Sequence, residues 1–140
     1  MIEEIVNIYE NILPKNPIML SHDEATKYFE RLMMNQNIIT YIQDNELVGF
    51  IEFWRVTDEQ FGRMCLNKPI LHDEDLLKGS TAVITRMWIT PTLRNGETFL
   101  NLGREFLRFN EKCTNFAWLQ AHKNHKPLQI YTKDQLFKRG

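Results

Sequence analysis

Asn124 and Tyr131 stand seven residues apart, two turns of an α-helix, just after the apolar run Phe116 to Ala121. On a helix that begins where such a strand stops, both side chains project to nearly the same side. A phenol so placed can hand over a proton, and the bland alternative is a tyrosine packed with Ile130 and Phe137 on an amphipathic helix. Glu52 is the second chemical candidate. It sits in Val48-Gly49-Phe50-Ile51-Glu52-Phe53-Trp54, where strand alternation puts it on the face of Val48, Phe50 and Trp54. A carboxylate stripped of water by apolar neighbours is a better base than one in solution; the alternative is a sheet-edge carboxylate paired with Arg55 or Arg86.

Other reactive side chains lack partners at useful spacing. His122 and His125 are three apart, but no cysteine or carboxylate with ligand spacing accompanies them, and they read as solvated histidines at a strand-to-helix junction. His72-Asp73-Glu74-Asp75 reads as a solvated loop. Cys65 and Cys113 fall in regions that read as helical, without close pairing, metal spacing or an evident base, which fits a reducing compartment. Arg104, Arg108 and Lys112 form a basic stripe of the kind that usually faces solvent.

The chain has 140 residues, 43% hydrophobic and 25% charged, enough for one core and one domain over 1–140. Seventeen basic and eighteen acidic side chains leave a net charge of −1, which supplies no general attraction for nucleic acid or an anionic membrane. No stretch has the length of a membrane span and the first residues are acidic, so a cytoplasmic protein is expected.

Ile2, Ile5, Ile8, Tyr9, Ile12 and Leu13 recur at helical spacing up to Pro14. Ser21 with Glu24 predicts a capping box ahead of Tyr28, Phe29, Leu32 and Met33, the apolar stripe of a second helix. Residues 37–43 and 46–56 predict two strands joined at the tight turn Asp44-Asn45. From Asp58 to Gly79 a short helix over 59–66 and a proline-bearing acidic stretch form a surface excursion. A strand over 81–90, a helix over 98–112, a strand over 116–121 and a last helix over 126–136, with Pro127 in its first turn, complete the order. Phe99, Leu102, Phe106 and Phe109 share one face of the penultimate helix and are assigned to the core.

This order, together with Ile89-Thr90-Pro91-Thr92-Leu93-Arg94 and the pair Asn124 and Tyr131, resembles the GNAT acyltransferase superfamily over a little more than half the chain. The resemblance implies an α/β domain, a GNAT-like mixed central sheet flanked by helices, lacking the family's first strand and most of its last hairpin. It implies that acyl-coenzyme A lies in a splay between the strand ending at Ile89 and the strand ending at Ala121. Met87, Trp88 and Ile89 would surround the acyl carbonyl with backbone groups. Arg94, Asn95, Gly96, Glu97 and Thr98 would form the diphosphate loop, Asn124 would tie helix to strand, Tyr131 would protonate the departing thiolate, and Glu52 would deprotonate the acceptor amine.

The loop departs from the family pattern. Counted from Arg94, the positions of its two small residues hold Glu97 and Phe99, a carboxylate beside a diphosphate and a ring where space is needed. A turn shorter by one residue would instead put Gly96 and Thr98 in those roles. Two functions follow: an acetyl-CoA-dependent N-acyltransferase acting on an amine-bearing small molecule or protein, or an inactive GNAT-fold binding or structural protein, for example in a larger assembly such as a virus particle.

Overall fold

The computed structural model describes residues 1–13, 20–65, 78–94, 96–118 and 129–131, the backbone alone at 65 and 129–131. Two helices come first, α1 (Ile2–Asn11) and α2 (His22–Met34). The predicted capping box is present: Glu24 N–H donates to Ser21 Oγ at 3.2 Å and Ser21 N–H donates to Glu24 Oε1 at 3.0 Å. Two orphan donors of the helix start are thereby satisfied. The hairpin β1 (Ile38–Gln43) and β2 (Glu46–Val56) turns at Asp44 and Asn45, both with positive φ, the conformation a two-residue hairpin turn demands. The remaining elements are α3 (Asp58–Cys65), β3 (Thr81–Ile89), a 3-10 turn at Pro91–Leu93, α4 (Glu97–Phe109), β4 (Asn115–Trp118) and β5 (Gln129–Tyr131).

Five strands form one mixed sheet in the order β1-β2-β3-β4-β5; β3 and β4 run parallel and the other neighbours antiparallel. The parallel pair is joined through α4, as a crossover requires. Alternation sorts the side chains into two layers. Phe50, Trp54, Val56 and Val83 pack with Ile5, Tyr9, Phe29 and Leu32 of α1 and α2. Ile51, Phe53, Ile84 and Phe116 pack with Leu102 and Phe106 of α4. Each such side chain withdrawn from water contributes roughly 1.5–3 kcal/mol. Gly49 lets α4 approach closely, because a Cβ there would lie 2.9 Å from Leu102 Cδ1 and 3.1 Å from the Trp88 carbonyl oxygen.

Three expectations need correction. The helix expected over 126–136 is not present at Gln129–Tyr131, which instead add an antiparallel strand to β4, Tyr131 opposite Phe116. The outer edge of β4 offers these three residues a ladder, and that pairing outweighs the 3.6-residue apolar period. Phe109 is 40% exposed with the Arg108 guanidinium over its ring, at the last residue of α4. Cys113 lies in the turn beyond α4, not in a helix; it is a free thiol whose pKa burial raises and Arg55 partly restores. Residues 66–77, which hold most of the excursion, lie outside the described residues. Among the described residues no helix is long and apolar enough to cross a membrane.

Candidate acyl-transfer site

The site begins with a bulge. Glu52 pairs with Arg86 while Phe53 pairs with Ile84, so Thr85 is an extra residue in β3. An extra residue turns two consecutive side chains to one side, and both reach Glu52. Thr85 Oγ1 donates to Glu52 Oε1 at 2.7 Å, and Arg86 Nη1 donates to Oε1 at 2.6 Å and to Oε2 at 2.8 Å. From α2, Tyr28 adds its hydroxyl at 3.0 Å from Oε1. Glu52 is fully buried on a central strand, so it is paired with Arg86 but is not the sheet-edge carboxylate of the alternative reading. Arg55 bonds instead to Asn110 and to the Phe109 carbonyl.

Electrostatics keep Arg86 charged beside a neutral phenol. Burial first, and the Glu52 carboxylate second, push the Tyr28 hydroxyl well above its ordinary pKa, so it stays a donor. Burial alone would pull Arg86 down, but Glu52 and then Tyr28 more than offset it and the guanidinium titrates above its ordinary value. Its Cζ lies 5.3 Å from the Tyr9 ring centroid and 5.7 Å from that of Tyr28, within cation–π range of both rings. A general base must reach the proton it removes, directly or through one water. Both oxygens of Glu52 are engaged by donors and none of the side chain meets solvent, so Glu52 holds Arg86 and Thr85 in place.

Backbone alternation decides which strand amides can meet a ligand. Thr90 N–H donates to the Val48 carbonyl at 2.8 Å, which makes Val48 and Thr90 a hydrogen-bonded pair. Counting back, Trp88 and Arg86 also face β2, whereas Met87 and Ile89 turn their backbone groups the other way. The Ile89 carbonyl confirms this, accepting from Arg94 Nε at 2.8 Å. On that far side β4 accompanies β3 only from Thr81 to Ile84 among the described residues. Of the three residues expected to surround an acyl carbonyl, Met87 and Ile89 therefore offer N–H groups and the Trp88 amide is turned into the β2 ladder.

Beyond β3, Arg94 ties the turn back to the strand, and α4 opens at Gly96 with φ 91°, a conformation glycine adopts without strain. Gly96, the N-cap of α4, brings no side chain to the helix start, whose first-turn amides point out of the helix. Glu97 is exposed and Thr98 is buried. Phe99 packs toward the sheet, stacked on Trp118 with centroids 6.1 Å apart. Asn95 and Asn124 lie outside the described residues. Tyr131 lies level with Phe116 and hence with Ala82, two strands over and five residues short of Met87. At roughly 3.3 Å per residue and about 4.8 Å per strand, that is on the order of 15–20 Å between the two backbones.

Neither a protein-family model nor a curated protein sequence matches this chain. Solved structures do. The loading GNATL domain of CurA from Lyngbya majuscula is 15% identical with a TM-score of 0.61, over 90% of this chain and 65% of that one. The GphF GNAT-like decarboxylase, solved with isobutyryl-CoA, is 15% identical with a TM-score of 0.55, over 84% and 60%. The ribosomal-protein-alanine N-acetyltransferase from Brucella melitensis is 10% identical with a TM-score of 0.52, over 84% and 67%. The fold is GNAT-like. At these identities the likeness speaks for the fold alone, and the chain spans less than two thirds of the length of the first two structures.

Proposed function

We propose that the chain is an acyl-CoA-dependent N-acyltransferase that transfers an acetyl group to an amine. The observation that carries this reading is the edge of β3 beyond Ile84, which no other strand pairs among the described residues and where the Met87 and Ile89 amides face away from β2 toward the start of α4. Strand N–H groups on an open edge suit a thioester carbonyl whose oxygen gains charge on attack, and one donor of this kind contributes about 3 kcal/mol to a transition state. The amides of Gly96, Glu97 and Thr98 suit the diphosphate of coenzyme A. In the reaction the neutral amine forms a C–N bond to the carbonyl carbon, the C–S bond breaks, and the thiolate leaves with the electron pair. The proton lost by nitrogen passes to water. With Glu52 saturated and Tyr131 distant, the chain positions the reactants and stabilises the oxyanion, and the amine arrives already deprotonated.

The second reading, a GNAT-fold binding protein without activity, is favoured by the Glu97 carboxylate in the first turn of α4. Thermal unfolding with and without acetyl-CoA, followed by thiol release in the presence of amines, separates the two. A transferase is stabilised by about 2.7 kcal/mol at a hundred times its Kd and releases thiol only when an amine is present. Unchanged unfolding at millimolar acetyl-CoA overturns the transferase reading.

A further inference from the structure

We infer that Arg86 is the receptor for a carboxylate on the acceptor, so that the amine substrate is an amino acid or another amino carboxylate; this rests on the transferase reading. The starting point is how Arg86 spends its donors. A guanidinium that serves only a buried carboxylate commonly meets it fork to fork, two nitrogens on two oxygens. Here a single nitrogen, Nη1, takes both Glu52 oxygens at 2.6 and 2.8 Å and also reaches the Tyr28 hydroxyl at 3.4 Å. Nε and Nη2, the edge that matches a carboxylate in a bidentate way, have no partner among the described residues.

The surroundings keep that edge in place. The Tyr9 and Tyr28 rings contact the guanidinium, Glu52 anchors one corner, and the side chain still keeps 23% of its surface open while Glu52 keeps none. The ion pair is therefore a dipole with its positive end outward. Immobilising a long side chain costs entropy on binding, and here that ordering is already done by groups on three elements, α1, α2 and β2. A carboxylate arriving at the outer edge would complete the fork that Glu52 leaves open.

Position assigns the carboxylate to the acceptor. Arg86 immediately precedes Met87, whose amide faces the proposed acyl carbonyl in the plane of the sheet, and its side chain rises out of that plane toward Tyr9 of α1 and Tyr28 of α2. These two helices, whose residues have no part in the diphosphate loop, form the side from which an acceptor would approach. An amine and a carboxylate on one small molecule would then be fixed at neighbouring positions of one strand.

The test uses Arg86→Lys, which retains one cationic nitrogen for Glu52 and deletes the outer edge. Binding is read without turnover, from the Arg86 Nε–H resonance of the full chain titrated with glutamate and, separately, with glutamine α-amide, which lacks both carboxylates. The expected result is a saturable shift with glutamate, absent with the amide. An equal response to both, or none at about 100 mM, overturns the inference and leaves the transferase reading untouched. In acetyl-CoA assays, amino acids should be preferred over their carboxamides at least tenfold in kcat/KM, and Arg86→Lys should raise KM for the amino acid about tenfold while changing the carboxamide less than twofold. A preference that instead follows a carboxylate on the acyl donor, tested with succinyl-CoA and a plain amine, overturns the assignment to the acceptor. Should Arg86→Lys fail to fold, the pair Glu52→Gln with Arg86→Gln removes both charges together and must show the same loss of preference.

Discussion

Phe99 lies nearly parallel to Trp118, with their ring planes 22° apart, and so clasps the first turn of α4 to the last described residue of β4. Both rings pack against the apolar layer of Leu102, Phe106 and Ile84 beneath the sheet. Phe99 is thus held against the apolar layer beside the start of α4. Phe99→Ala should cost about 2–4 kcal/mol in chemical denaturation, near the lower range for a truncated buried ring because Phe99 is only half-buried. Calorimetric titration should show weaker acetyl-CoA binding. Tighter binding would mean that the ring stands in the ligand's place.

Glu97 opposes the ligand and supports the helix. As the first residue of α4 it interacts favourably with the helix N-terminus, while a diphosphate at the same place would meet its negative charge. Glu97→Gln should therefore lower stability by about 0.3–1 kcal/mol and tighten acetyl-CoA binding about two- to fivefold, the gain shrinking as salt rises. Equal affinity for both proteins at low salt would place the diphosphate elsewhere.

The Tyr28 phenol sets a high-pH limit on the fold. Its folded-state pKa is raised, first by burial and then by Glu52. The stabilising contribution is therefore complete below the unfolded value of about 10 and is lost as pH climbs from there through the folded value. Denaturation midpoints of the wild type should fall more steeply between about pH 9.5 and 11 than those of Tyr28→Phe. Parallel profiles would contradict the buried-donor assignment. At neutral pH the variant, which strips one donor from a buried carboxylate, should be less stable by about 1–3 kcal/mol.

Gly49 sets the distance between α4 and the sheet. Gly49→Ala drives a methyl into Leu102 Cδ1 and the Trp88 carbonyl, and overpacking of this sort costs about 1–3 kcal/mol. Adding Leu102→Ala removes one of the two clashes, so the double variant should be more stable than the sum of the single losses predicts. Strict additivity in denaturant titrations would show that the helix is free to shift.

The helices, the hairpin and the sheet face of Glu52 could be read from sequence because each rests on local chemistry: the Ser21 and Glu24 box, the Asp44-Asn45 turn, the apolar stripes of α1 and α4. What could not be read depends on contacts between distant residues. The bulge at Thr85 has no composition signal, yet it brings Arg86 onto Glu52 and turns the Trp88 amide inward. Gln129–Tyr131 suit helix or strand by type, and only the waiting edge of β4 decides. Arg86 was weighed only as a partner for Glu52. Its unused edge is a matter of which nitrogen makes the bonds, and the tyrosines that frame it come from Tyr9 and Tyr28 on separate helices.

The central claim is that the Met87 and Ile89 amides receive an acyl carbonyl, and the most direct measurement is an amide-resolved NMR titration with acetyl-CoA set against coenzyme A lacking the acetyl group. Both ligands should shift the amides of Gly96, Glu97 and Thr98. Only acetyl-CoA should move Met87 and Ile89, saturably and together with the loop. If Met87 and Ile89 stay still at saturating acetyl-CoA, or move equally with both ligands, the β3 edge is not the acyl site.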